Sequence, residues 1–123
     1  MLTCGQAAVG IIVSSLAAKL SMSLIWRAPT KAGEASRKTA AFTNWSKAQL
    51  NEAEYAPMLV AMLLYLHTQD VACPWGATLA VTGQVVYFWG RALTGRLFPI
   101  GPFGAFPRYF AFGALGYAVW GTL

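Results

Sequence analysis

Apolar residues dominate four stretches of this chain, at about 6–26, 45–67, 74–97 and 105–123. A helix that spans a bilayer needs about 20 mostly apolar residues. The stretches therefore predict four membrane helices. Helix breakers fall between them. Pro29 and Gly33 lie in the first connection (28–43), Asp70 and Pro74 bracket a short second one, and Pro99, Gly101, Pro102, Gly104 and Pro107 fill the third. Proline suits the first turn of a helix, so Pro74 reads as a start. Thr43 or Asn44 is placed to cap the second helix. Alternating β patterns are absent, which argues against a barrel. Small residues such as Ala114 and Ala118 recur at helical spacing and favour close packing in lipid. The expected fold is all-α: one four-helix transmembrane domain over residues 1–123.

Composition agrees. Of 123 residues, 57% are hydrophobic and only 11% charged, against about a quarter charged in soluble domains. A soluble fold this short could not hide so much apolar surface. The net charge of +5 does not indicate nucleic acid, because the basic residues flank apolar stretches and form no patch interleaved with stacking aromatics. They read as topology signals. Arg27, Lys31, Arg37, Lys38 and Lys47 lie in or beside the first connection, and Arg91, Arg96 and Arg108 in or beside the third. The positive-inside rule puts these connections in the cytosol and both termini outside. The expected location is an integral, multi-pass one: endoplasmic reticulum or another internal membrane if eukaryotic, inner membrane if bacterial. The basic first connection reads as a mobile loop. Trp26, Trp45 and Trp75, near helix ends, read as an interfacial belt. The two cysteines, Cys4 and Cys73, fall on the non-cytosolic side, and no metal-ligand spacing appears.

Polar residues inside the second apolar stretch carry the candidate chemistry. Lys47, Asn51, Glu54 and Tyr55 fall on one helical face. An ionisable side chain in a membrane helix is expensive and normally faces the bundle interior. Glu54 therefore needs a partner, and Lys19, at similar depth in the first helix, is one candidate for it or for Glu52. Glu52 points about 160° away from Glu54, toward the interface or a neighbouring subunit. Gln84, Tyr87 and Arg91 share a face of the third helix. Arg108 is expected at the start of the fourth, at the cytosolic rim like Arg27. Positive charge, one deep carboxylate and one carboxamide suit a small peptide-like anion, since arginines hold carboxylates by paired hydrogen bonds. The plainer alternative is that Asn51 and Glu54 join helices structurally and that Arg91 anchors a helix end.

The run Lys47-Ala-Gln-Leu-Asn51-Glu-Ala-Glu54-Tyr55-Ala-Pro57 resembles the second-helix signature of the MAPEG family, the membrane-associated proteins in eicosanoid and glutathione metabolism. Val86-Tyr87-Phe88-Trp89-Gly90-Arg91 is similar to the stretch that ends in that family's third-helix arginine. The resemblance is nearest to the leukotriene C synthase and microsomal glutathione transferase branch. It implies a homotrimer with glutathione, the co-substrate, bound between subunits. Lys47, Asn51, Glu54, Tyr55 and Arg91 match its glutathione ligands. Arg108, and next Arg27, become the candidates that stabilise the thiolate. The lipophilic second substrate arrives from the bilayer, for conjugation or for reduction of a lipid hydroperoxide. Where the branch often carries tyrosines after its third-helix arginine, this chain has Thr94 and Phe98. The alternatives are a non-catalytic MAPEG-like lipid-binding or scaffold protein and a small structural subunit of a larger complex.

Overall fold

The computed structural model describes every residue except Ala28 and Leu97. Among the described residues the chain forms five helices: α1 (Cys4–Ile25), α2 (Lys31–Ser36), α3 (Ala40–Thr68), α4 (Pro74–Thr94) and α5 (Ile100–Trp120). Four are long. The fifth, α2, replaces the loop expected in the first connection. Thr30 accepts a hydrogen bond from the Gly33 N–H and starts it. Arg37 Nη1 then donates to the Trp26 carbonyl at 2.5 Å and ties the connection to the end of α1.

Local chemistry explains the other boundaries. Thr3 and Gln6 form a reciprocal capping box at the start of α1. The cap of α3 is Thr39 rather than Thr43 or Asn44, so α3 begins five residues earlier than the apolar pattern indicated. Pro74 opens α4, and Gly95, in the left-handed region at φ 68°, closes it. The expected end of this span at Leu97 and the expected start of the first connection at Ala28 lie outside the described residues. The largest departure is in α5, which starts at Ile100 and not near 105. Gly101, Pro102 and Gly104 looked like loop punctuation. Pro102 lies in the first turn, where its missing N–H removes no helical bond. Gly104 meets another helix, as described below.

The long helices alternate in direction. Leu2 N–H donates to Thr78 Oγ1 at 3.3 Å, joining the starts of α1 and α4. The Tyr65 and Thr122 hydroxyls lie 2.8 Å apart, joining the ends of α3 and α5. The α3 and α4 helices form the central pair, α1 packs on both, and α5 packs on both. Two apolar clusters result. One gathers Ile11, Leu59, Leu63, Ala80 and Leu115. The other gathers Ala18, Trp26, Trp45, Ala48 and Phe88. Trp26 and Trp45 are buried and in tilted ring contact with centroids 5.1 Å apart, so they are core residues and not belt residues. Trp75 is exposed, as a belt residue would be.

Much of the outer surface is apolar. Val9, Val13, Leu16, Leu20 and Leu24 on α1, and Phe103, Phe106 and Phe110 on α5, are exposed. Monomeric soluble proteins rarely expose such continuous patches. Among the described residues one helix, Cys4–Ile25, is long and apolar enough to cross a membrane. Both cysteines are free thiols in the same end cavity.

Candidate functional site

Between the two apolar clusters lies a polar layer, and each long helix contributes to it. On α1 it holds Ser14 and Ser15, between Ile11 and Ala18. On α3 it holds Asn51 and Glu52, between Ala48 and Ala56. On α4 it holds Gln84 and Tyr87, between Ala80 and Phe88. On α5 it holds Arg108, one turn before Ala111. Hydrogen bonds join the helices at this level. Ser15 Oγ donates to Glu52 Oε1. Trp89 Nε1 donates to Ser14 Oγ at 2.9 Å. Arg108 Nη1 donates to Asn51 Oδ1 at 2.7 Å.

Arg108 is the centre of the site. Its side chain is 1% exposed. Because α5 starts at Ile100, Arg108 lies two turns inside the helix rather than in its first turn. Close backbone packing puts it there. A Cβ on Gly83 would fall 2.6 Å from the Arg108 backbone nitrogen, and one on Gly104 would fall 2.6 Å from Tyr87 Cβ. Only glycine lets α4 and α5 approach so far. Tyrosine rings surround the guanidinium. Its carbon lies 3.8 Å from the Tyr55 ring centroid, 4.5 Å from Tyr87 and 5.7 Å from Tyr109. Ring faces attract a cation more strongly when water is excluded. The Tyr55 and Tyr109 hydroxyls are 3.4 Å apart.

A cavity of about 360 Å³ opens beside this cluster, lined by Asn51, Tyr55, Tyr87, Phe106, Arg108 and Tyr109 among others. It presents one fixed cation, one carboxamide and several phenols against apolar walls. Such a cavity can hold an anion or a polarisable thiolate, with an apolar partner alongside. Arg91 stands at its flank, half-buried, and donates from Nη1 to the Tyr87 hydroxyl at 2.9 Å.

The candidate residues divide accordingly. Asn51, Tyr55 and Arg108 come together, with Arg91 one residue removed through Tyr87. Lys47 and Glu54 are exposed and outside the cavity lining, so Glu54, although well inside α3, does not face the bundle interior of the single chain. Arg27 is also exposed. It lines a different cavity, between α1 and α3, with Lys19 and Gln49, and does not meet Arg108 within the chain. The buried carboxylate is Glu52, 4% exposed. Lys19 shares a cavity with it and not with Glu54. The signal for Glu52 is the buried stripe of α3 — Trp45, Ala48, Glu52, Ala56, Leu59, Leu63 and Leu66 — at three- and four-residue steps. The spacing of Gln84, Tyr87 and Arg91 was legible, and the first two are buried. Tyr109 carries no sequence signal of its own, because its partner Tyr55 lies 54 residues away.

The fold and site define an all-α bundle with a large apolar exterior and a buried cationic pocket between its helices. The family model for the MAPEG family matches residues 1–119, and the chain belongs to this family of membrane proteins. The family includes glutathione-dependent transferases and peroxidases as well as non-catalytic members. The chain finds no significant match among curated proteins or among solved structures.

Proposed function

We propose that the protein is a multi-pass, homotrimeric membrane enzyme that uses glutathione to conjugate a lipophilic electrophile or to reduce a lipid hydroperoxide, like the leukotriene C synthase and microsomal glutathione transferase branch. The observation that carries this reading is the Arg108 guanidinium, buried at the cavity and enclosed by Tyr55, Tyr87 and Tyr109. A free thiol is mostly protonated at neutral pH, and the thiolate is the nucleophile. A fixed, buried guanidinium lowers the energy of the thiolate, which develops as the S–H bond is lost. Asn51 holds one side of Arg108, so the cation needs no reorganisation when the sulfur arrives. The thiolate then attacks an electrophilic carbon, forming a C–S bond as a leaving group departs with its electron pair, or it attacks the terminal oxygen of a hydroperoxide and breaks the O–O bond. In the second case a sulfenic acid and an alcohol form, and a second glutathione gives the disulfide and water.

Arg91 is placed to pair with a glutathione carboxylate. Lys47, Glu54 and Arg27, exposed on the single chain, serve the ligand from the faces that neighbouring copies cover. One observation favours a non-catalytic role instead. Thr94 spends its hydroxyl on the Gly90 carbonyl at 2.6 Å, and Phe98 offers no donor. The deciding experiment uses the detergent-solubilised protein. Millimolar glutathione raises its thermal midpoint, and a generic aromatic electrophile is turned over with glutathione. Stabilisation without turnover of electrophile or hydroperoxide selects the non-catalytic reading. No stabilisation rejects the glutathione site.

A further inference from the structure

Among the described residues, three buried side chains carry a charge or a carboxamide: Glu52, Gln84 and Arg108, at 4%, 2% and 1% exposure. All three belong to the polar layer. All three also have side-chain atoms without a hydrogen-bond partner, namely Glu52 Oε2, both Gln84 side-chain heteroatoms and Arg108 Nε. Native proteins seldom leave such atoms unpaired, and buried water commonly joins them. These atoms are complementary: Glu52 Oε2 and Gln84 Oε1 accept, while Gln84 Nε2 and Arg108 Nε donate.

Their placement orders them. Glu52 faces α1, where Ser15 occupies its other oxygen. Arg108 comes from α5, and Gln84 is buried on α4, which packs on both α1 and α5. Gln84 follows Gly83, at which α4 and α5 touch through backbone. We propose that Glu52 is the buried counter-charge of Arg108, linked to it through water held by Gln84, and that this link balances the guanidinium until an anion enters the cavity. Glu52 and Gln84 are thus positioning residues. Neither lines the cavity beside Arg108. A buried charge without a partner is strongly destabilising, whereas a balanced pair is not.

The other groups around the pair are Ser15 and Lys19 facing Glu52. Asn51, Tyr55, Tyr87 and Tyr109 face Arg108, with Arg91 behind Tyr87. Lys19 is the rival counter-charge, but it is exposed, and Glu52 Oε2 takes no hydrogen bond from it.

The test is a mutant cycle on the ligand-free, full-length protein in detergent. Glu52→Gln and Arg108→Gln each lower the thermal midpoint by at least about 5 °C, and the double variant loses no more than the worse single. If Arg108→Gln alone fails to assemble, rescue of assembly in the double variant is the same result. Additive losses, absent rescue, or coupling of Glu52→Gln to Lys19→Gln instead would overturn the proposal. A second readout rests on the glutathione reading. With its competing carboxylate gone, Glu52→Gln binds glutathione at least roughly threefold tighter, which a packing role would not produce. Unchanged or weaker binding in this variant refutes the balancing role. If the wild-type protein shows no glutathione binding, that reading fails by itself, and the mutant cycle still decides whether the pair exists.

Discussion

Replacing Arg108 with alanine is expected to lower glutathione-dependent turnover at least about 100-fold while the protein still assembles. Removal of one fixed donor from a site that stabilises a developing anion typically costs two to three orders of magnitude. Arg108 is the residue around which the rest is arranged: Asn51 at 2.7 Å and three phenol rings on its flanks. Arg108→Lys keeps the charge but loses the planar fork that both donates to Asn51 and stacks on tyrosines. It should recover only part of the rate. The measurement is kcat and KM for glutathione with a saturating electrophile, beside size-exclusion chromatography. A fall in kcat assigns Arg108 to thiolate stabilisation. A rise in KM alone would make it a binding residue. Full activity would remove it from the mechanism.

The second large effect is expected at Gly83. A methyl group there would lie 2.6 Å from the Arg108 backbone nitrogen and 2.8 Å from the Gly104 carbonyl oxygen. Neither atom can turn aside as a side chain would. Alanine is the better helix former by about 1 kcal/mol, so propensity alone argues that Gly83→Ala stabilises. Overpacking of about 1–3 kcal/mol opposes it, and contact with backbone places this site at the upper end. The expected result is a lower thermal midpoint and an activity loss larger than the stability loss, because α5 and Arg108 shift together. A thermal melt and an activity assay on the same preparation check it. An equal or higher midpoint would show that α4 and α5 do not meet through Gly83.

These predictions mark what the sequence could and could not reveal. The four long helices were legible from apolar runs, and Asn51 with Tyr55 from helical spacing. The start of α5 was not legible, because Gly101, Pro102 and Gly104 read locally as a loop. Their role is tertiary: Gly104 exists for Tyr87, which is distant in sequence. That shift moves Arg108 from the first turn of the helix to two turns inside it, and Tyr109 meets Tyr55 only through the tertiary fold. The polar stripe of α3 was read as one face, yet it divides. Asn51 and Tyr55 turn to α5, and Lys47 and Glu54 turn outward. Glu52 was read as outward-facing from its angle to Glu54. The buried series from Trp45 to Leu66 was in the sequence and would have placed it inward. Trp26 and Trp45 lie near helix ends, as belt residues do, but α2 and the extended start of α3 bring them together in the core.

The central claim is that Arg108 meets the sulfur of glutathione. The most direct measurement is an experimental structure of the solubilised protein with glutathione bound. The account predicts a glutathione in each Arg108 cavity, with its sulfur within hydrogen-bonding distance of the Arg108 guanidinium and a carboxylate near Arg91. Glutathione bound elsewhere, or bound with its sulfur turned away from Arg108, would contradict it.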